Sequence, residues 1–150
     1  MRRAAATVAP LLAVLALVLA GCGTTTLTAA QLRTQAGRIC AHAAERAARI
    51  PAPATPDASE RFLRAGLGAM RPAAEGLRAL KPPDEMRESY GQAVALNAKA
   101  LASVARQEHA IARGEDAPTA FRRLQAELDP IVRVEDATWR ALQIPACVTR

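Results

Sequence analysis

Helical periodicity cut by proline is what most constrains this chain. Past residue 27 the sequence is a series of alanine-rich stretches with apolar side chains three and four residues apart, and prolines separate them. Alanine is the strongest helix former, and the stretches hold no β-branched runs. The first helix is expected to start at Thr28: Thr28 and Gln31 are spaced as a capping box, and Leu27 and Leu32 occupy the hydrophobic-staple positions. Leu32, Ala36, Ile39 and Ala43 give its buried stripe, and it ends at Ile50, before Pro51 and Pro53. After a proline-rich linker over residues 51–56, a second helix begins near Asp57, with Asp57 and Glu60 as its capping pair. Its stripe is Leu63, Leu67, Met70, Ala74 and Leu77, Pro72 is expected to kink it, and Lys81, Pro82 and Pro83 stop it. The third helix spans residues 84–113, with Gly114 as its stop and a stripe of Met86, Tyr90, Ala93, Val94, Asn97, Leu101, Val104, Glu108 and Ile111. Asp116 caps the fourth, Pro118 lies in its first turn and Pro130 predicts a bend. Phe121, Leu124, Leu128, Ile131, Glu135, Trp139 and Leu142 form its stripe. Amphipathic helices with short connections predict an all-α fold, an antiparallel up-down four-helix bundle.

The first 21 residues have a different character. Arg2 and Arg3 are followed by an uncharged segment over residues 4–20 whose apolar centre is Val14, Leu15, Leu17, Val18 and Leu19. That centre is shorter than the ~20 residues a bilayer-spanning helix needs, and small residues follow it, as in a secretory signal peptide. The segment ends in Leu19-Ala20-Gly21-Cys22, which resembles the lipobox of bacterial lipoproteins. The resemblance implies that the Cys22 thiol is diacylglycerylated, that the chain is cut before Cys22, and that the new amine is acylated. More than one acyl chain on a residue gives stable anchoring, where a single chain binds marginally. The hydrophobic and lysine positions expected after a twin-arginine signal are missing, so general secretion is the expected route. The organisation is then a signal peptide over residues 1–21, a lipidated tether over 22–27 and a helical domain over 28–150. Residues 23–26 reach only about 13–14 Å when extended, which holds the domain close to the membrane.

Processing leaves roughly 130 residues, enough for one domain with a core. Loss of Arg2 and Arg3 takes the 20 basic residues to 18 against 14 acidic, a balance of +4 spread along the chain. This favours anionic head groups or wall polymers slightly. The aromatics are Phe62, Tyr90, Phe121 and Trp139, too few for a stacking platform, so no nucleic-acid partner is expected. With Cys22 lipidated, Cys40 and Cys147 remain as an even pair, and outside the membrane a disulfide between them is expected. There is a geometric tension. Cys40 lies about 12 residues, roughly 18 Å, into the first helix, whereas a simple bundle ends its fourth helix level with residue 28. Either Ile144 and Pro145 turn the tail back, with Ile144 and Val148 packed beside the disulfide, or the start of the first helix projects as a stalk. The folded-back tail is the preferred arrangement.

Arg38-Ile39-Cys40 before an alanine-rich helix, the proline linker, Phe62-Leu63, the stretch Leu77 to Glu85 with its Lys81-Pro82-Pro83, and Pro145-Ala146-Cys147 together resemble a group of small exported helical proteins of high-GC Gram-positive bacteria. The resemblance spans nearly all of residues 38–147. It rests on helix ends and a cysteine pair, and implies a disulfide-closed bundle and no site.

Helical bundles can house metals or haem, and the candidate ligands are His42, Glu45, Glu108, His109, Glu135, Met70 and Met86. A di-iron centre needs Glu-x-x-His on two helices. Glu108 and His109 are adjacent, so they point about 100° apart and cannot share a ligand face. His42 and Glu45 are spaced to share one, but among alanines and arginines they read as a solvated face. Covalent haem is excluded by the lack of C-x-x-C-H, and His42, His109 or Tyr90 are the only residues offered for a non-covalent haem. No metal or cofactor is expected. Ser59, Ser89 and Ser103 have no Gly-x-Ser-x-Gly elbow, and there is no phosphate-binding glycine loop, so no enzyme is expected.

Asn97, Glu108 and Glu135 fall on otherwise apolar stripes, where a buried carboxylate needs compensation. Either they lie at the bundle edge beside arginines such as Arg46, Arg106 or Arg140, or they form a polar pocket between the third and fourth helices for a small cationic ligand or metal. Asn97, Glu108, Glu135, His42 and His109 are the candidate ligand-binding residues. The expected function is a lipid-anchored, non-enzymatic interaction or binding module on the extracytoplasmic face of the cell membrane, in contact with membrane lipid through Cys22 and with another envelope protein. The alternative is a carrier of a small ligand, metal or haem in the bundle interior.

Overall fold

The computed structural model describes residues 26–148; the leader, Cys22 and the tether up to residue 25 lie outside the described residues. The chain forms α1 (Ala29–Ala48), α2 (Ser59–Ala79), α3 (Arg87–Ala112) and α4 (Ala117–Ala141), with single 3-10 turns at Pro56–Ala58, Asp84–Met86 and Pro145–Cys147. Each helix packs against the next in sequence, giving the expected antiparallel up-down bundle. Among the described residues no helix is long and apolar enough to cross a membrane.

The helix ends follow local chemistry. At α1, Thr28 Oγ1 accepts from Gln31 N and Gln31 Oε1 accepts from Thr28 N, a reciprocal capping box. The Leu27 amide donates to Lys81 O at 2.9 Å, tying the chain before α1 to the α2–α3 connection. Gly114, at φ 94°, ends α3, and the amides of Gly114 and Glu115 return to Ile111 O and Ala110 O in a Schellman motif. Asp116 caps α4 through Thr119 N at 3.0 Å. The start of α2 departs from expectation. A 3-10 turn over Pro56–Ala58 leads into it, its N-cap is Ala58 without a side-chain bond, and Glu60 pairs with Arg64 one turn on instead of capping with Asp57. Proline at the head of that turn fixes the entering backbone, which moves the helix start past Asp57. Pro72 and Pro130 sit on exposed faces inside α2 and α4, and both helices run through them.

The dense core lies toward the end where α1 begins. There Leu32, Leu77, Met86, Tyr90, Trp139, Leu142 and Ile144 are all buried. Tyr90 and Trp139 meet edge to face, centroids 5.8 Å apart at 76°, and the Tyr90 hydroxyl donates to Leu77 O at 2.7 Å. The α3 stripe departs from the expected one beyond Asn97. The buried positions are Ala100, Ser103, Gln107 and Ala110, while Leu101, Val104, Glu108 and Ile111 are half-buried. Small and polar residues face α4 there, and the larger apolar ones sit to one side.

The tail turns back as preferred. Gln143 takes φ 60°, and the amides of Gln143 and Ile144 return to Arg140 O and Trp139 O, a Schellman motif built on a non-glycine residue. Ile144 is then buried against Trp139, Val148 is half-buried beside the core, and Cys147 reaches Cys40 with their Cα atoms 5.0 Å apart in a disulfide. Arg33 on α1 donates to Leu142 O at 3.0 Å, closing the carboxyl end of α4 from the neighbouring helix.

Candidate functional site

Three seams of this bundle are helix against helix; the fourth is not. α1 and α4 barely approach each other, and the disulfide-bound turn Pro145–Cys147 bridges them at one end. At the other end the turn Pro56–Ala58 reaches α4. Between these bridges lies a cavity of about 390 Å3. Its α1 wall is Ala43, Ala44, Ala47 and Ala48, with Cys40 at the end of the row. Side chains this short cannot fill the gap to α4 where bundle packing would place leucine or isoleucine, so the space stays open. Met70, Ala73 and Leu77 of α2 form the floor, and Trp139, Ala146 and Cys147 close one end.

The polar atoms of the wall come from α3 and α4. Glu135 is fully buried, and its Oε1 accepts from Asn97 Nδ2 and from Trp139 Nε1, each at 3.1 Å. A carboxylate only accepts, so the amide nitrogen of Asn97 faces it and the amide oxygen remains a second acceptor on the same wall. Among the described residues, Glu135 is the one ionisable side chain lining the cavity, since the two cysteines are bonded to each other. The result is an apolar chamber with one polar spot, where Asn97 meets Glu135. Its volume falls in the range of small-ligand pockets, ~300–1,000 Å3.

The other residues singled out in the sequence lie elsewhere. Glu108 accepts from Arg64 Nε at 3.0 Å across the α2–α3 surface. The arginines expected beside the stripe carboxylates serve other partners. Arg106 pairs with Glu127 at 2.6 Å, Arg140 faces Asp136 at 3.9 Å, and Arg46 donates from Nε and Nη2 to Ala69 O. His42 lies 3.5 Å from Glu45 on a solvated face, its side chain 67% exposed, and His109 is exposed. Neither histidine lines the cavity. Among the described residues no three His, Cys, Asp or Glu side chains converge on a metal position.

Two features escaped the sequence reading. One is the alanine wall, whose signal was present as small residues where the α1 stripe needed bulk. The other is a polar knot between α3 and α4: Gln107 Nε2 donates to Glu127 Oε1, while Arg106 bonds both Glu127 and Ser103 Oγ. The Arg106 hydrogen bond holds the Glu127 carboxyl below its ordinary range, with Ser103 adding to the effect. Asp116 is held low by the side chain and amide of Thr119. Burial pushes the Tyr90 hydroxyl well above the usual tyrosine value. None of these three lines the cavity. Comparison of the chain with protein-family models, with curated proteins and with solved structures found no match to any of them.

Proposed function

We propose that this chain is a lipid-anchored binding module of the bacterial cell envelope, held on the extracytoplasmic face of the membrane through Cys22 and taking up a small molecule in the bundle interior without transforming it. The observation that carries the binding role is the cavity between α1 and α4: about 390 Å3, walled by alanine, with Asn97 and Glu135 as its polar side chains among the described residues. The Cys40–Cys147 disulfide supports an oxidising compartment, and the lipobox-like Leu19-Ala20-Gly21-Cys22 supports export and acylation. Non-enzymatic action is favoured by a wall that, among the described residues, has one carboxyl group and no nucleophile or paired acid.

Two measurements test this. Intact mass of the protein extracted from its native membrane should show cleavage before Cys22 and added acyl mass, and Cys22→Ala should abolish both. Protein purified from those membranes, extracted with solvent and examined by mass spectrometry, should yield a bound small molecule. Ala47→Leu, which fills the cavity, should lose it. An unmodified Cys22 thiol would overturn the anchor; an equal yield from Ala47→Leu would overturn the cavity as the binding place. A second reading, docking of another envelope protein, is favoured by Val134. That side chain is 47% exposed on α4 between two shallow grooves. Crosslinking in intact cells from a photoreactive residue at position 134 would capture such a partner.

A further inference from the structure

The chamber does not stand alone on its side of the bundle: an apolar shelf on α4 runs in line with it. We infer that the molecule held here is a long unbranched acyl chain, laid lengthwise along the α1–α4 seam with its head group in water. This rests on the small-ligand reading above and deepens it.

The shelf follows from where α1 ends. Arg33 on α1 meets Leu142 on α4, and the two helices are antiparallel, so fourteen residues further along α1 Ala47 comes level with Leu128. α1 stops at Ala48, and toward the start of α4 the turn Pro56–Ala58 takes the place of a facing helix. Phe121, Leu128 and Val132 are left half-buried there, lining a groove along α4. Steps of three, four and seven residues place Phe121, Leu128 and Val132 on the same stripe of the helix as Trp139, which closes the chamber.

The length follows from helix rise. From Cys40 to Ala47 along α1, and on from Leu128 to Phe121 along α4, the path is about 21 Å. With single carbon bonds near 1.5 Å an extended chain advances about 1.3 Å per carbon, so the path takes roughly 16 carbons. A compact body would use the chamber and leave the shelf bare.

The chemistry follows from the walls. Alanine, leucine, methionine, tryptophan and the disulfide make up most of the chamber, and such a surface strips a sugar or nucleotide of water without replacing it. Glu135 is fully buried and bonded to Asn97 and Trp139, so that polar pair is engaged within the protein. Each methylene buried is worth about a fourfold gain in affinity, which makes chain length the quantity this seam measures. Acyl chains are at hand in membrane lipid and, on the proposed anchor, at Cys22 itself. Trp139, the sole tryptophan, reports on the chamber it lines.

The test uses the full chain in phosphatidylcholine vesicles with cis-parinaric acid, a linear polyene fatty acid that accepts energy from tryptophan. Saturated fatty acids and adamantane-1-carboxylate compete, and protein-free vesicles calibrate the free ligand in water. Displacement should strengthen by about tenfold for each two carbons from octanoate to hexadecanoate and level off beyond it, while adamantane-1-carboxylate should displace no better than octanoate. Ala47→Leu, which narrows the chamber, should weaken every competitor about tenfold or more, whereas Leu128→Gln should weaken hexadecanoate about tenfold and leave octanoate unchanged. In Cys22→Ala, tighter parinarate binding would show the anchor's own chain competing for the seam, and equal binding would assign the seam to a separate lipid. A gain that stops near octanoate, or adamantane-1-carboxylate matching hexadecanoate, with binding still lost in Ala47→Leu, would overturn the long chain and leave the cavity reading standing. No transfer above that of protein-free vesicles, or transfer indifferent to Ala47→Leu, would overturn the cavity reading and the acyl chain with it. Should Ala47→Leu fail to fold, Leu128→Gln decides: unchanged hexadecanoate binding refutes the seated chain.

Discussion

Breaking the Cys40–Cys147 link should cost this domain more than any single side-chain change. The bond joins residues 107 apart in sequence, so it removes a very large loop from the unfolded ensemble. In the chain-entropy model a loop of that length is worth roughly 4–5 kcal/mol at 25 °C. A domain of about 120 residues unfolds with an entropy near 0.25 kcal/mol/K, so the expected loss in Tm is about 15–20 °C. Native contacts argue against offsetting strain, because Ile144 and Leu142 bury the tail on the same core whether or not the sulfurs are joined. The assay is thermal unfolding by circular dichroism of wild type against Cys40→Ala/Cys147→Ala. Refolding kinetics provide the second reading. An effect on the unfolded state should slow folding, or raise unfolding, without changing the native helical signal before the transition. A loss of under about 3 °C would refute the reasoning: the tail and α1 would then be held near each other in the unfolded chain by something other than the bond.

The remaining predictions concern single positions. Glu135→Ala strands the donors of Asn97 and Trp139 beside the cavity and should destabilise by about 3 kcal/mol, while Glu135→Gln keeps an acceptor there and should cost about 1 kcal/mol, both measured by urea unfolding. Gln143→Gly removes a left-handed conformation from a residue with a Cβ and should stabilise by about 1 kcal/mol, seen as a rise of roughly 4 °C in Tm. Asp116, with its carboxyl held low by Thr119, contributes stability that is present above its unfolded value of 3.8 and lost as pH falls through the lower folded value; Asp116→Asn should flatten Tm against pH in that acid range. Tyr90, the sole tyrosine, is held protonated by burial, so its contribution is present below pH 10 and lost above it, and phenolate absorbance should appear together with alkaline unfolding rather than before it.

The helices were legible because their signals are local. Thr28 with Gln31, Gly114, and Asp116 with Pro118 each act within one turn of backbone, and all three do what their spacing implies. Asp57 with Glu60 has the same spacing and fails, because Pro56 sets the preceding dihedral and Arg64 offers Glu60 a stronger partner. The Asn97–Glu135 pairing was half legible. Both residues announce themselves as polar breaks in an apolar stripe, but their meeting depends on how α3 is rotated against α4. That rotation is set beyond Asn97 by Ser103, which accepts from Arg106, and Gln107, which donates to Glu127; Leu101 and Val104 are turned partly outward. Periodicity ranks residues by hydrophobicity and therefore chose the wrong face. The cavity was not legible at all, because alanine in a helix reads as propensity until the distance to the facing helix is known.

The opening between the first and last helices is framed by two segments that are not themselves part of the helical scaffold. One sill is clamped by sulfur, and the other is a short piece of chain stiffened by Pro51, Pro53 and Pro56. Width at such a window can be retuned by lengthening or shortening either sill, with the three helix-on-helix seams untouched. The breadth of this space can therefore change through connector length alone, and grafted connectors offer the engineer the same adjustment.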